Sequence, residues 1–247
     1  MLELDVVGTK DNIVVVSHDS NMHRLTGHNL EMSNLQYSEL PPYKKSFFSH
    51  FLEENFQCDR EYHYTTLESV FANFPHNYIS VDIKSPTENI ILEVKRLTSQ
   101  YNREKITFIG SGAKKNNDLV RKHINNTLTF MTLEKVLLIY FSYIFGLVGF
   151  IPITENSICL PIMTRTFEKL KYSELPYFKA FIYSSLSKFF AMISGPLNRH
   201  LNRRGVKVFY WTLNTEDEFD YAIKLNCHGI ITDRPSLLKS YLISRSL

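Results

Sequence analysis

The 247 residues carry 28 Lys and Arg against 25 Asp and Glu, a formal net charge of +3, and 44% are hydrophobic. That length suits one large α/β domain or two small ones, with apolar residues enough for a sizeable core. The charge is too slight and too dispersed for a nucleic-acid surface, since Arg203-Arg204 is a doublet rather than a patch.

The first runs, residues 2–6 and 13–17, are rich in Val and are separated by Gly8 and an Asp11-Asn12 turn, which predicts two strands. Side chains two apart on a strand share a face, so Glu3 and Asp5 point the same way, as do Val14, Val16 and His18. On spacing alone Glu3 and Asp5 read as solvated carboxylates. Residues 25–42 are polar and turn-rich, and 47–57 are aromatic and acidic without a period. Residues 25–65 are therefore expected to form a small insertion outside any repeat. Thr65 or Thr66 caps a helix that Pro75 stops.

A strand–helix alternation follows. Strands are predicted at 78–83, 105–109, 127–130, 157–160, 206–213 and 229–232. Helices are predicted at 87–101, 116–124, from 133 onward, at 176–193, 196–204, 216–225 and 236–244. Such alternation argues for a parallel sheet, and this many units points to a (β/α)8 barrel rather than an open doubly wound sheet. No Gly-rich phosphate fingerprint follows a strand, which argues against a nucleotide fold. In a barrel, catalytic groups sit at the C-terminal strand ends, where Glu3, Asp5, His18, Asp82, Lys84, Trp211 and Asp233 fall.

Residues 136–153 are uncharged and approach the roughly 20 residues of a membrane span, but Gly146, Gly149 and Pro152 interrupt them. Three readings are open: a barrel helix, a span, or a hydrophobic insertion dipping into a bilayer. A span inside a closed barrel puts flanking strands on opposite sides of a membrane, so the insertion fits better. Charges at positions 3 and 5 argue against a signal peptide. Cys58, Cys159 and Cys227 lack metal-ligand spacing and read as reduced thiols. The remaining histidines, His23, His28, His50, His63, His76, His123, His200 and His228, have no ligand-like spacing and read as surface or loop. Asp233 reads chiefly as a cap of the last helix, and Trp211 alone reads as core.

Taken together, Glu3-Leu4-Asp5-Val6, Val15-Val16-Ser17-His18-Asp19, Arg24-Leu25-Thr26-Gly27, Val81-Asp82-Ile83-Lys84, Trp211-Thr212-Leu213-Asn214 and Ile231-Thr232-Asp233-Arg234-Pro235 resemble the glycerophosphodiester phosphodiesterase family over nearly the whole chain. Leu40-Pro41-Pro42-Tyr43 and the apolar run resemble its membrane-associated lysophospholipase D branch. The resemblance implies a single phosphodiesterase-type TIM barrel over 1–247 that uses a divalent cation, Mg2+ or Ca2+. It implies Glu3, Asp5 and Asp82 as metal ligands, Asp82 standing where many members carry Glu. It further implies His18 as a catalytic histidine, Lys84 as a phosphate contact and Trp211 as a pocket wall. Implied partners are a lysophospholipid or glycerophosphodiester substrate and a membrane surface, with no nucleic acid. The implied location is the endoplasmic reticulum or perinuclear membrane, with a cytoplasmic alternative.

The chemistry agrees. A hard cation held by carboxylates neutralises a phosphodiester, a lysine stabilises developing charge, and histidines move protons. The family's His-Arg-Gly and Glu-Asn-Thr motifs do not occur here. The expected barrel therefore lacks its first strand–helix unit, and the 247 residues alone are expected to have little or no activity. The alternatives are a soluble glycerophosphodiesterase making glycerol 3-phosphate and an inactive shortened isoform acting as a membrane-associated binding protein.

Overall fold

A computed structural model describes residues 1–49, 51–84, 87–112 and 114–246; His50 lies outside the described residues. The elements run β1 (Leu2–Gly8), β2 (Val14–Val16), α1 (His23–Thr26), β3 (Ser46–Ser49), β4 (Glu54–Gln57), α2 (Leu67–Asn73), β5 (Ile79–Ile83), α3 (Glu88–Gln100) and β6 (Thr107–Gly110). They continue with α4 (Lys114–His123), α5 (Leu133–Ile144), β7 (Ser157–Pro161), α6 (Arg165–Glu174), α7 (Tyr177–Arg203), β8 (Lys207–Trp211), α8 (Glu216–Lys224), β9 (Gly229–Ile230) and α9 (Pro235–Ser244). The chain divides into two compact units. One is Met1–Phe47 with Phe56–Lys135, and the other is Phe48–Asn55 with Val136–Leu247.

The first unit holds a sheet of order β2-β1-β5-β6. β1 and β2 form an antiparallel hairpin with Val6 opposite Val16, whereas β1–β5 and β5–β6 are parallel. Thr9 sets the hairpin turn: its hydroxyl donates to Asp11 Oδ1 at 2.6 Å, and Asn12 takes φ 62°. Leu2, Leu4 and Val6 of β1 and Ile79, Val81 and Ile83 of β5 point to one face, covered by Leu67, Val70 and Phe71 of α2 and Ile90, Ile91 and Val94 of α3. Thr66 and Thr87 cap those helices through the amides of Ser69 and Ile90. With one sheet face sealed by helices, the alternate residues are left for the opposite face. They include Glu3, Asp5, Ser80, Asp82 and Lys84.

Arg103 is fully buried in this unit. Its Nη1 donates to the carbonyls of Phe74 at 2.8 Å and Pro75 at 2.9 Å, and its Nη2 donates to that of Asn77. The guanidinium also lies over the Phe71 ring, 4.8 Å from its centroid. One side chain thus fastens the whole α2–β5 connection.

In the second unit β7, β8 and β9 are parallel, Cys159 opposite Phe209 and Phe209 opposite Gly229. The hydroxyl of Thr215 accepts from the Glu218 amide while the Glu218 side chain returns to the Thr215 amide, a capping box that opens α8. Asn198 of α7 donates to Tyr210 Oη at 2.9 Å and to the Leu225 carbonyl at 2.7 Å, tying α7 to β8 and the end of α8.

Several expectations change. Residues 127–130 shrink to a single parallel bridge, Phe108 to Leu128. From the stretch 47–57 come strands β3 and β4, which pair as a two-stranded sheet with Phe47 stacked on Phe56 at 5.6 Å. Helix α6 was unforeseen, although Thr164 caps it by accepting from the Phe167 amide at 3.1 Å. The two helices expected around Pro196 are one, α7, with the proline inside it. Asp233 does not cap α9; it accepts from Asn214 Nδ2 at 3.3 Å. The apolar run is broken, since α5 ends at Ile144 and Gly146 takes φ 70°. Among the described residues no helix is long and apolar enough to cross a membrane.

The three cysteines are free thiols. Burial pushes the Cys227 thiol up to about 11 from an ordinary 9.0. Its thiolate fraction near neutral pH then falls about 100-fold. Peptide mapping after timed iodoacetamide labelling is expected to find Cys227 alkylated about 100-fold more slowly than a free model thiol. Equal rates exclude the burial effect.

Candidate functional site

The candidate site grows from the β1–β5 register. Asp5 is the cross-strand partner of Asp82, and Glu3 is that of Ser80. Same-face side chains on adjacent parallel strands lie side by side, so this register brings the two aspartates together. Lys84, one residue beyond β5, is anchored by its backbone N–H, which donates to the Val6 carbonyl at 3.0 Å. Its ammonium sits between the two carboxylates, 2.8 Å from Asp5 Oδ1 and 2.8 Å from Asp82 Oδ2.

The electrostatics follow from that arrangement. Burial raises the Asp82 carboxyl pKa; the Lys84 charge and hydrogen bond oppose the rise, Asp5 adds to it, and the net shift is upward. Asp82 Oδ1 is buried and completes no hydrogen bond among the described residues. The Gly112 amide is near enough only to pull the pKa down a little. Burial lowers the Lys84 pKa, but Asp82 and Asp5 more than reverse it, and the lysine ends well above its usual value. Its contribution to stability is therefore present below the ordinary lysine pKa and is lost only as pH rises through the higher folded value.

His18 follows β2. Its position is fixed by the Ser17 amide, which donates to the Asp5 carbonyl at 2.9 Å. His18 Nδ1 lies 2.7 Å from Asp19 Oδ1, and Arg24 Nε donates to Asp19 Oδ2 at 2.6 Å. Burial raises the Asp19 pKa, but the bonds from Arg24 and His18 outweigh it and the net shift is downward. An ionised carboxylate only accepts, so Nδ1 carries the proton and Nε2 is the free nitrogen of neutral His18. With Asp19 depressed, this pairing holds above its ordinary pKa and is lost only as pH falls through the lower folded value. Sequence reasoning missed the roles of Asp19 and Arg24 in holding His18, although Asp19 stands next to it in the chain.

Trp211 belongs to the second unit. It ends β8 and packs edge-on against Phe167, centroids 5.6 Å apart. Phe167 stacks on Phe51 at 6.2 Å and lies under Lys171 Nζ at 5.1 Å. Asn214, three residues on, accepts from the Asp233 amide at 2.9 Å and the Thr232 hydroxyl at 3.0 Å.

Hard oxygen donors and a buried acceptor without a partner fit a divalent cation at Asp5 and Asp82. Glu3 is exposed on the same face. Among the described residues no three of His, Cys, Asp or Glu gather as a ligand set.

Residues 1–237 match the model of the glycerophosphoryl diester phosphodiesterase family. Lysophospholipase D GDPD1 of Rattus norvegicus is 36% identical over 253 residues, covering 100% of this chain and 78% of that protein. Lysophospholipase D GDPD3 of Homo sapiens is 36% identical over 248 residues, covering 98% and 76%. Among solved structures, a glycerophosphodiester phosphodiesterase from Thermotoga maritima has TM-score 0.60 and 19% identity, with 96% of this chain and 83% of that chain covered. A phosphodiesterase from Oleispira antarctica, solved with sn-glycerol-3-phosphate, has TM-score 0.60 and 13% identity, with coverage of 97% and 83%. These structural likenesses show the fold, the phosphodiesterase-type TIM barrel. The chain belongs to the glycerophosphoryl diester phosphodiesterase family and is a phosphodiester hydrolase.

Proposed function

We propose that this chain is a hydrolase of lysophospholipase D type, releasing lysophosphatidic acid and a headgroup alcohol from a lysophospholipid. The observation that carries the reading is the Asp5–Lys84–Asp82 cluster, built on the penultimate pair of the parallel β1–β5 ladder. The 36% identity to lysophospholipases D supports the lipid substrate.

Asp5 and Asp82 would hold Mg2+ or Ca2+, which when bound neutralises phosphodiester charge and polarises its oxygens; Glu3, which the resemblance adds as a ligand, does not gather with them. Lys84 stays protonated at neutral pH and orients the phosphate through its ammonium, adding stabilisation as charge develops. His18 moves a proton through Nε2 while Asp19 holds Nδ1.

Substitution Asp19→Asn is expected to lower kcat about 100-fold with KM little changed. It is also expected to mix the His18 tautomers, read by 15N NMR of the imidazole nitrogens. An unaltered tautomer in the variant removes Asp19 from this role.

The test of the function is choline release from lysophosphatidylcholine and from glycerophosphocholine, with Mg2+, with Ca2+ and with chelator. Cation-dependent release favouring lysophosphatidylcholine is expected from a chain supplied with the family's His-Arg-Gly and Glu-Asn-Thr motifs, and little or none from these 247 residues, which contain neither. Preference for glycerophosphocholine would install the soluble glycerophosphodiesterase reading, which the Oleispira antarctica structure with sn-glycerol-3-phosphate favours. No release from either by that supplied chain, with cation binding intact, would install the binding-protein reading.

A further inference from the structure

The lysine that would meet the phosphate is already engaged by the carboxylates that would hold the metal ion. Lys84 Nζ lies 2.8 Å from Asp5 Oδ1 and 2.8 Å from Asp82 Oδ2. An ammonium has three N–H donors, and these two contacts occupy two of them. The cluster is sheltered, since the side chains of Asp5, Asp82 and Lys84 are 19%, 20% and 30% exposed. Charges at such a place are screened less than on an open surface.

Mg2+ binds oxygens at about 2.0–2.1 Å and Ca2+ at about 2.3–2.6 Å, both nearer than the ammonium stands to these carboxylates. Two positive centres drawing on the same pair of carboxylates at such separations repel each other. One of them has somewhere to go. The main chain of Lys84 is fixed by its bond to the Val6 carbonyl, but its four-carbon stem is flexible and partly exposed. The acceptor capacity of the pair also exceeds what the lysine uses, because Asp82 Oδ1 is buried and completes no hydrogen bond among the described residues. A phosphate anion gives the ammonium an alternative counter-ion, and in taking it Lys84 would leave both carboxylates to the divalent cation.

We propose that Lys84 couples the two ligands of this site: its ammonium competes with the divalent cation for Asp5 and Asp82, and a phosphate anion relieves the competition by drawing the ammonium away. The proposal rests on the hydrolase reading for the identity of both ligands and adds the order they impose on each other. Linkage makes the effect reciprocal, so the factor by which phosphate tightens cation binding is the factor by which the cation tightens phosphate binding. It also fixes a sign that a merely supportive lysine would not give. Loss of Lys84 tightens cation binding while weakening phosphate binding.

The test is isothermal titration calorimetry with Mg2+ and with Ca2+, on the 247-residue chain and on Lys84→Met, each with and without sn-glycerol 3-phosphate as the probe. Without the probe, Lys84→Met is expected to bind either cation about 10-fold more tightly than the unaltered chain. The probe is expected to raise cation affinity about 10-fold in the unaltered chain and about threefold or less in the variant, where only direct contact between the ligands remains. 15N NMR of the lysine ammonium groups is expected to show the Lys84 signal move as either cation saturates the site. Lys84→Gln repeats the measurement with a polar neutral side chain, and urea unfolding checks that both variants are folded.

Cation affinity in the folded variants equal to or weaker than that of the unaltered chain would overturn the competition, as would a Lys84 signal unmoved at saturation. Equal gains from the probe in all three proteins would overturn the coupling, and absence of cation binding from all three would remove the site and the proposal together. Choline release is scored separately. Its absence, with tighter cation binding in the variants, counts against the lysophospholipase reading and not against the coupling.

Discussion

Asp82→Asn is expected to weaken binding of Mg2+ or Ca2+ about 100-fold or more, while changing unfolding free energy by about 1 kcal/mol or less. Asparagine keeps the size of the side chain and one carbonyl oxygen but loses the negative charge that a hard cation needs. Lys84 keeps Asp5 as its counter-ion at 2.8 Å, so the variant does not strand a cation. Burial already opposes ionisation of Asp82, so removing that charge also relieves a cost. The sign is specific. A carboxyl with a raised folded pKa weakens the fold as pH rises through that value and stops doing so below its ordinary pKa. The wild type should therefore gain from Asp82 on acidification, and the variant should lack that gain. Isothermal titration calorimetry with each cation gives the affinity, and urea unfolding at two pH values gives the stability. Equal cation affinity in the two proteins would remove Asp82 from the ligand set.

The second large effect concerns folding rather than chemistry. Arg103→Met should destabilise the first unit by about 3 kcal/mol or more. The loss leaves the carbonyls of Phe74, Pro75 and Asn77 without their common donor, in a place where Arg103 has no exposure. Methionine fills part of the volume, so the penalty reports unsatisfied acceptors more than a cavity. The melting midpoint should fall by about 6–12 °C. Arg103→Lys should recover less than half of the loss, because a single ammonium cannot fork to three carbonyls as a guanidinium does. A change below 1 kcal/mol in urea titration would show that water takes over these acceptors.

What the sequence revealed, and what it hid, follows from the range of the forces involved. Local signals did well: Val-rich runs bounded by turns predicted β1 and β2, and Thr66 and Thr87 sit where caps were expected or adjoin the predicted starts. The period-2 rule put Glu3 with Asp5, but only the parallel register put Asp5 beside Asp82, and no local pattern encodes a pairing across that distance in the chain. The resemblance to a family supplied that link. Pro196 misled because a proline normally ends a helix, yet α7 continues through it while buried neighbours such as Leu197 and Leu201 keep both halves packed. The β3–β4 pairing was hidden by its polar, exposed β4, which gives no alternation to read. Asp19 and Arg24 were visible as letters, but their grip on His18 depends on side-chain geometry.

The in-register pairing of Asp5 with Asp82 has a consequence for handling the protein. A slip of one residue would turn Glu3 and Asp5 into the helix-covered layer and bring Leu4 and Val6 out in their place. A molecule paired that way could retain its helices and much of its circular dichroism, yet its two aspartates would no longer share a lysine. If Asp5 and Asp82 hold the proposed cation, the molar ratio of cation bound per chain in a titration would count the correctly threaded molecules in a preparation, a measure of batch integrity that spectra of secondary structure do not give.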